Sequence, residues 1–157
     1  MAVVGRLDPL KVFRFRVEWL GIQRAGFKAV GGLVKETAVV PYREGDEIPT
    51  PSKSAGLTEY PTATFARGLI ADDGNELWDW STLVEDHGLV ASVPEPEYKK
   101  DVSVVLLDKG NDEKRRWNLD QAWVCRYEIS DFDSATSEVL LTTMTLCYQG
   151  LTEVPPT

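Results

Sequence analysis

EVLLTTMTLCYQGLTEV, residues 138–154, reads as one long β-strand. Val139, Leu141, Thr143, Thr145 and Cys147 fall on one face, and Leu140, Thr142, Met144, Leu146 and Tyr148 on the other. Successive strand side chains point to opposite sides, so a strand without charge on either face needs covering on both. A sandwich or barrel supplies that cover, whereas a single solvated sheet does not.

The neighbouring segments follow the same pattern. DVSVVLLD (101–108) has little polar interruption and reads as a strand covered on both faces. RRWNLDQAWVCRYEI (115–129) reads as one long bent strand or as two. KGNDEK (109–114) and SDFDSATS (130–137) have turn composition. Towards the N-terminus, VFRFRVEWL (12–20) alternates Phe13, Phe15, Val17 and Trp19 against Arg14, Arg16 and Glu18, as a half-buried strand does. A second strand is expected over about 29–40, with Gly31-Gly32 marking a bulge or bend. EYPTATFARG (59–68) is a third, with Ala63, Phe65 and Arg67 on one face.

The period changes once. DGNELWDWSTLVEDH (73–87) carries Leu77, Trp80 and Val84 at helical spacing, with Asp73 and Glu76 as a capping box and Gly88 placed to end the helix. Residues 89–100 hold two prolines and read as connection. One helix among six or seven strands predicts a mainly β fold: a β-barrel of two packed antiparallel sheets with one α-helix alongside. The 157 residues form a single domain, 1–157, large enough for a core without disulfide staples.

PYREGDEIPTPSKSAGL (41–57) interrupts this plan with three prolines and five charges. A connection of that length is expected to be either disordered or functional.

Composition narrows the function. Hydrophobic residues make up 43% and charged residues 27% of the chain, as in ordinary globular domains. No apolar run has transmembrane length, and the N-terminus has no secretory signal pattern, so folding in a cytoplasm is expected. The net charge of −8 divides into +3 over residues 1–70 and −11 over 71–157. Such a chain lacks the basic face needed to grip phosphates. Cys125 and Cys147 read as buried or half-buried free thiols, with one disulfide as the alternative.

No catalytic set emerges. His87 is the single histidine and sits at the predicted helix end. The pairs Asp72-Asp73 and Asp131/Asp133 read as turn formers rather than cation ligands. Phosphate-loop, dinucleotide and nucleophile-elbow motifs are missing from the sequence. The expectation is a structural protein, not an enzyme, with no cofactor and no metal.

Several segments in order resemble the tail tube proteins of contractile phage tails and phage-like contractile injection systems. They are FRFRVEW (13–19), Ala25-Gly26-Phe27, Val30-Gly31-Gly32-Leu33, Tyr42-Arg43-Glu44-Gly45, and Gly56 to Tyr60 ahead of Arg67-Gly68. Leu77-Trp78-Asp79-Trp80, KKDVSVVLLD (99–108), RWNLDQAW (116–123) and TLCYQGL (145–151) complete the series. Residues 49–54 and 88–98 depart from the family pattern.

The resemblance implies the fold of the type VI secretion tube protein. It also implies hexameric rings stacked into a hollow tube inside a sheath, with baseplate, tube-initiator and terminator proteins as further partners. DNA or protein cargo would pass without specific binding, and no membrane insertion is implied. An acidic lumen, built from the second half of the chain, would let acidic cargo slide. Residues 41–57 would reach a neighbouring subunit, making Tyr42, Arg43, Glu44, Asp46, Glu47 and Lys53 inter-subunit contacts. Two other readings stand beside this one. The first is a tube-initiator or baseplate-proximal paralogue of the same fold. The second is a ligand- or sugar-binding barrel using Trp19, Trp78, Trp80, Trp117 and Trp123.

Overall fold

The protein's structure, a computed structural model, describes residues 14–19, 22–24, 27–42, 45, 52–68, 76–89, 98–136 and 138–155. The elements in chain order are β1 (Arg14–Trp19), β2 (Ile22–Arg24), β3 (Phe27–Gly31), β4 (Glu36–Tyr42) and β5 (Ser52–Glu59). Then come β6 (Ala63–Gly68), α1 (Glu76–Leu89), β7 (Lys100–Leu107), β8 (Glu113–Ile129), β9 (Leu141–Cys147) and β10 (Gly150–Val154). The strands form two antiparallel layers, β2-β1-β7-β8-β10 and β8-β9-β6-β3, joined through β8. Among the described residues, the mainly β fold with α1 alongside is the one the sequence pattern predicts.

β8 is one strand of 17 residues, and its bend is what makes two layers out of one ribbon. Residues up to Ala122 pair with β7, while those from Trp123 onward pair with β9. The residue just before this switch, Gln121, has a φ of 50°. Few non-glycine residues adopt that conformation. Its N–H donates to the Asp101 carboxylate at 3.0 Å, which offsets part of the cost. β10 then lies beside the first half of β8, with Gly150 opposite Asp120. A Cβ at Gly150 would stand 2.8 Å from Asp120 Oδ2, so only glycine permits this approach without a shift.

The core lies between the layers. Val17, Phe65, Val102, Leu119, Met144 and Leu146 are fully buried there. Along β1 the inner face runs Phe15, Val17, Trp19, and along β7 it runs Leu106, Val104, Val102. α1 closes the end of the sandwich marked by Trp19. Its Leu77 and Trp80 join the core, with Val84 packed at the margin. The Trp80 ring lies 6.2 Å from that of Trp19, and its indole N–H donates to the Tyr98 carbonyl at 2.7 Å. Truncation of Trp80 to alanine removes both contacts and costs about 3–5 kcal/mol. Glu76 and Asp79 in the first turn, and His87 in the last, suit the helix dipole.

The outer face of the first layer is polar and paired across strands. Glu18 accepts from Arg16 at 2.7 Å and from Arg116 at 2.8 Å, and Arg116 also donates to Glu113 at 2.8 Å. Ser103 donates to Asn118 at 2.7 Å. Val105 is buried on this same face, flanked in register by Arg16 and Arg116. Arginine stems can cover apolar surface in this way while their heads stay wet. The expectation that 101–108 is covered on both faces therefore holds at Val105 and Leu107, while Asp101 is exposed and Ser103 half-buried.

Four element boundaries differ from the pattern read in the sequence, and two burial assignments with them. The segment 29–40 is two strands, β3 and β4, parted by residues 32–35. The expected strand 59–68 begins only at Ala63, although Ala63, Phe65 and Arg67 are its buried face as predicted. The helix starts at Glu76 and continues through Gly88 to Leu89, and Asp73 lies outside the described residues. Residues 138–154 are two strands, because the chain crosses from one layer to the other at Tyr148-Gln149. Only one face of β9 is buried: Thr142, Met144 and Leu146 face the core, while Leu141, Thr143, Thr145 and Cys147 are half-buried. Cys125 is exposed rather than buried, because it is the bulged residue between Val124 and Arg126. Both thiols are free.

Candidate assembly surface

Among the described residues of 41–57, all but Gly45 are strand. Tyr42 ends β4, and Ser52–Leu57 belong to β5. The two strands form a hairpin arm that is a separate two-stranded sheet. The alternation of Thr37, Val39, Pro41 against Ala38, Val40, Tyr42 is ordinary strand periodicity. Two prolines nearby hide it, and Pro41 is tolerated because β4 is an edge strand. Thr37 and Thr58 face each other with hydroxyls 2.9 Å apart. A bulge follows, between Thr37 and Val39, and Gly56 lies where a Cβ would meet Val40 Cγ2 at 3.0 Å.

Every residue of β4 is exposed, and most of β5 is too. Val39 is 61% and Leu57 80% accessible. An isolated two-stranded hairpin is marginal in water, and this one carries apolar side chains without cover.

The roots of the arm are rigid. Gly32 has a φ of 81°, and a Cβ there would stand 2.8 Å from the Thr62 carbonyl oxygen. The Tyr148 hydroxyl accepts from Val34 N–H at 3.3 Å and lies at 3.3 Å from the carbonyl oxygens of Gly32 and Val34. Tyr148 is buried in the core and its ring packs 6.0 Å from Tyr60, at the other root. One core side chain thus holds both ends of the arm.

Of the predicted contact residues, Tyr42 and Lys53 lie near the far end of the arm, both exposed. Pro41, beside Tyr42, pairs with Lys53 in register, and Tyr42 pairs with Ser52. Arg43, Glu44, Asp46 and Glu47 lie outside the described residues. The sequence reading did not single out Val39 and Leu57, the most exposed aliphatics of the arm; the alternation through Pro41 was the signal for Val39.

At the end of the sandwich away from α1, the layers part into a cleft of about 870 Å³. Phe15, Val30, Leu33, Leu106, Trp117 and Leu151 line it, with Lys28, Lys35 and Glu153 as its charged groups. The five tryptophans do not converge on one site. Trp19 and Trp80 are core, and Trp78 is exposed against Tyr127 at 5.3 Å. Trp123 packs 6.2 Å from Tyr98, and Trp117 lies in the cleft.

Titratable groups serve the scaffold. Asp108 Oδ1 accepts from Gly110 and Asp112 N–H at 2.8 and 2.9 Å, and these bonds hold its carboxyl below the usual range. The Arg116 hydrogen bond does the same for Glu113. Burial pushes the Cys147 thiol up to about 11, helped by its neighbour Cys125. The His87 ring packs against Tyr98 at 4.6 Å, tilted by 40°, and Asp133 accepts from Ala135 N–H at 2.9 Å as a turn residue. Among the described residues, no three His, Cys, Asp or Glu side chains converge as metal ligands. No helix there is long and apolar enough to cross a membrane.

Comparison with known proteins agrees with this architecture. The family described as T4-like virus tail tube protein gp19 matches residues 11–152. No curated protein matches by sequence. Among solved structures, a chain of the PVC extracellular contractile injection system sheath–tube complex, in its extended state, superposes with a TM-score of 0.81 at 21% identity. It covers 96% of this chain and 94% of its own. A chain of the anti-feeding prophage tube-terminating cap gives 0.80 at 20% identity, covering 99% and 97%. Hcp1 from Flavobacterium johnsoniae gives 0.53 at 15% identity, covering 90% and 94%.

Proposed function

The chain belongs to the T4-like virus tail tube protein family, and from that premise we propose that it builds the inner tube of a contractile tail or injection particle. Subunits close into hexameric rings, and the rings stack into a conduit for DNA or protein cargo. A sheath surrounds the tube, and baseplate and terminator proteins meet its ends. The chain folds in a bacterial cytoplasm before it joins the particle, and it performs no catalysis. The acids of residues 71–157 contribute to a lumen that acidic cargo does not grip.

The observation that carries this reading is the arm. A domain with a complete core projects an exposed hairpin whose roots are fixed by Gly32 and Tyr148. A ring needs a heterologous contact in which one patch of a subunit meets a different patch of the next. A rigidly rooted arm with apolar side chains supplies one half of such a contact. The half-exposed face of β9 offers further surface that the monomer leaves uncovered. Tyr42 and Lys53 on the arm, together with Arg43, Glu44, Asp46 and Glu47, act as contact residues.

A second reading has one observation in its favour: the likeness to a tube-terminating cap chain is as close as that to a sheath–tube chain. In that reading the protein caps or starts a tube. Electron microscopy of the purified chain separates the two. Long tubes of six-fold rings support the tube subunit, isolated rings support the end paralogue, and a persistent monomer refutes both. Deletion of residues 46–54 should leave a folded domain that no longer polymerises.

A further inference from the structure

Two sulfurs meet on the outer face of the second layer. β8 and β9 pair Trp123 with Cys147, Val124 with Leu146 and Arg126 with Thr145. Cys125 is the residue left over, so it stands outside the ladder as the bulge. Val124 and Leu146 point into the core. Thr145 and Cys147 alternate with Leu146 and so face outward, where Cys125 is exposed and Cys147 half-buried.

In a regular antiparallel ladder the Cα atoms of diagonal neighbours stand about 7–8 Å apart. A disulfide needs about 4.4–6.8 Å. The bulge takes Cys125 out of that regular spacing. Cys125 Sγ donates to the Thr145 carbonyl at 3.3 Å, so the sulfur leans over β9, two residues from Cys147. The Cys147 side chain is itself hydrogen-bonded to that of Cys125. The fold thus holds two free thiols as neighbours, one of them open to solvent.

We infer that Cys125 and Cys147 are a reversible dithiol–disulfide couple, closed by exchange with low-molecular-weight disulfides such as oxidised glutathione. The exposed Cys125 thiolate attacks one glutathione sulfur, the glutathione S–S bond breaks, and one glutathione leaves as its thiolate. Cys147 then gives its proton to solvent and its sulfur attacks Cys125 Sγ. The protein disulfide forms and the second glutathione leaves. The dithiol loses two electrons, and one oxidised glutathione becomes two thiols. Burial holds the Cys147 thiol up at about 11, so Cys125 reacts first and Cys147 resolves. The bond ties β9 to β8 beside the step at which β8 changes partner, in the strand that joins the two layers. The couple stands apart from the tube reading, since a chain that never assembles can still carry it.

Mass spectrometry of the full-length protein tests the couple, after exchange with oxidised glutathione in conditions that keep the chain monomeric. Wild type should end two hydrogens lighter, with no glutathione retained. It should lose maleimide labelling at both cysteines, and dithiothreitol should restore it. Cys147→Ser should stop at one glutathione on Cys125. Cys125→Ser should react about tenfold more slowly than Cys147→Ser, because burial still keeps the remaining thiol protonated. Equal rates for the two variants overturn the order of the steps. A wild-type chain that keeps glutathione on Cys125, forms chain-to-chain disulfides instead, or stays reduced overturns the couple. Urea unfolding gives an independent reading: the closed form should have a higher midpoint than the reduced form. A lower midpoint means that the fold holds the sulfurs apart, and it overturns the couple as well.

Discussion

Replacing Gly32 by alanine tests the rooting of the arm. The residue has a φ of 81°, and a Cβ there would stand 2.8 Å from the Thr62 carbonyl oxygen and 3.3 Å from Ala63 Cα. The left-handed conformation costs an L-residue about 1–2 kcal/mol. Both obstacles are backbone atoms, so relief requires the 62–63 segment to move, at about 1–3 kcal/mol for an overpacked site. Together Gly32→Ala should cost about 2–5 kcal/mol. For a domain of this size that lowers the melting temperature by roughly 4–20 °C. Gly31→Ala is the internal control. A Cβ there meets only Thr64 Oγ1 at 3.8 Å, so the change should be neutral or stabilise by about 0.4–1 kcal/mol. Urea unfolding, in conditions that keep the chain monomeric, reads both. If Gly32→Ala falls within about 0.5 kcal/mol of wild type, or if the two alanines cost the same, the argument from φ and contact is wrong.

Other expectations follow from the same contacts. Tyr148→Phe removes the hydroxyl that faces the arm's exit and should cost about 0.5–1.5 kcal/mol. Hydrogen exchange at Val34 N–H should speed up more than exchange in β6 or β7. Maleimide at pH 8 should label exposed Cys125 well before Cys147, whose thiol is held up at about 11, as intact-mass analysis would reveal. Cys125→Ser should bring the Cys147 pKa down, because Cys125 is one of the causes that raise it. Asp108 has a depressed folded pKa, so its stabilising effect is present above the ordinary carboxylate pKa and lost as pH falls through the folded value. The stability gap between wild type and Asp108→Ala should therefore be full at pH 7 and shrink in acid, as urea midpoints across a pH series would reveal.

Periodicity alone determined much of this protein. Alternation in FRFRVEW placed Phe15, Val17 and Trp19 on the inner face of β1. The face Ala63, Phe65, Arg67 and the helical stripe Leu77, Trp80 were equally legible, because a local repeat reports which side of an element meets the core. The fold class followed from counting such elements. Strand partners were a different matter, since they lie far away in sequence. Nothing local shows that β8 changes partner between Ala122 and Trp123, or that the run 138–154 breaks at Tyr148 to serve both layers. A charge-free strand face was read as covered, yet the outer face of β9 is only half-buried in the single chain. The segment 41–57 looked structureless because prolines mask a two-residue repeat, and the pairing of 52–59 with 36–42 became visible only once the chain was folded. Tertiary structure alone decided the rest. Tyr148 meets Gly32 and Val34 across more than a hundred residues, and the cleft is assembled from five strands that only packing brings together.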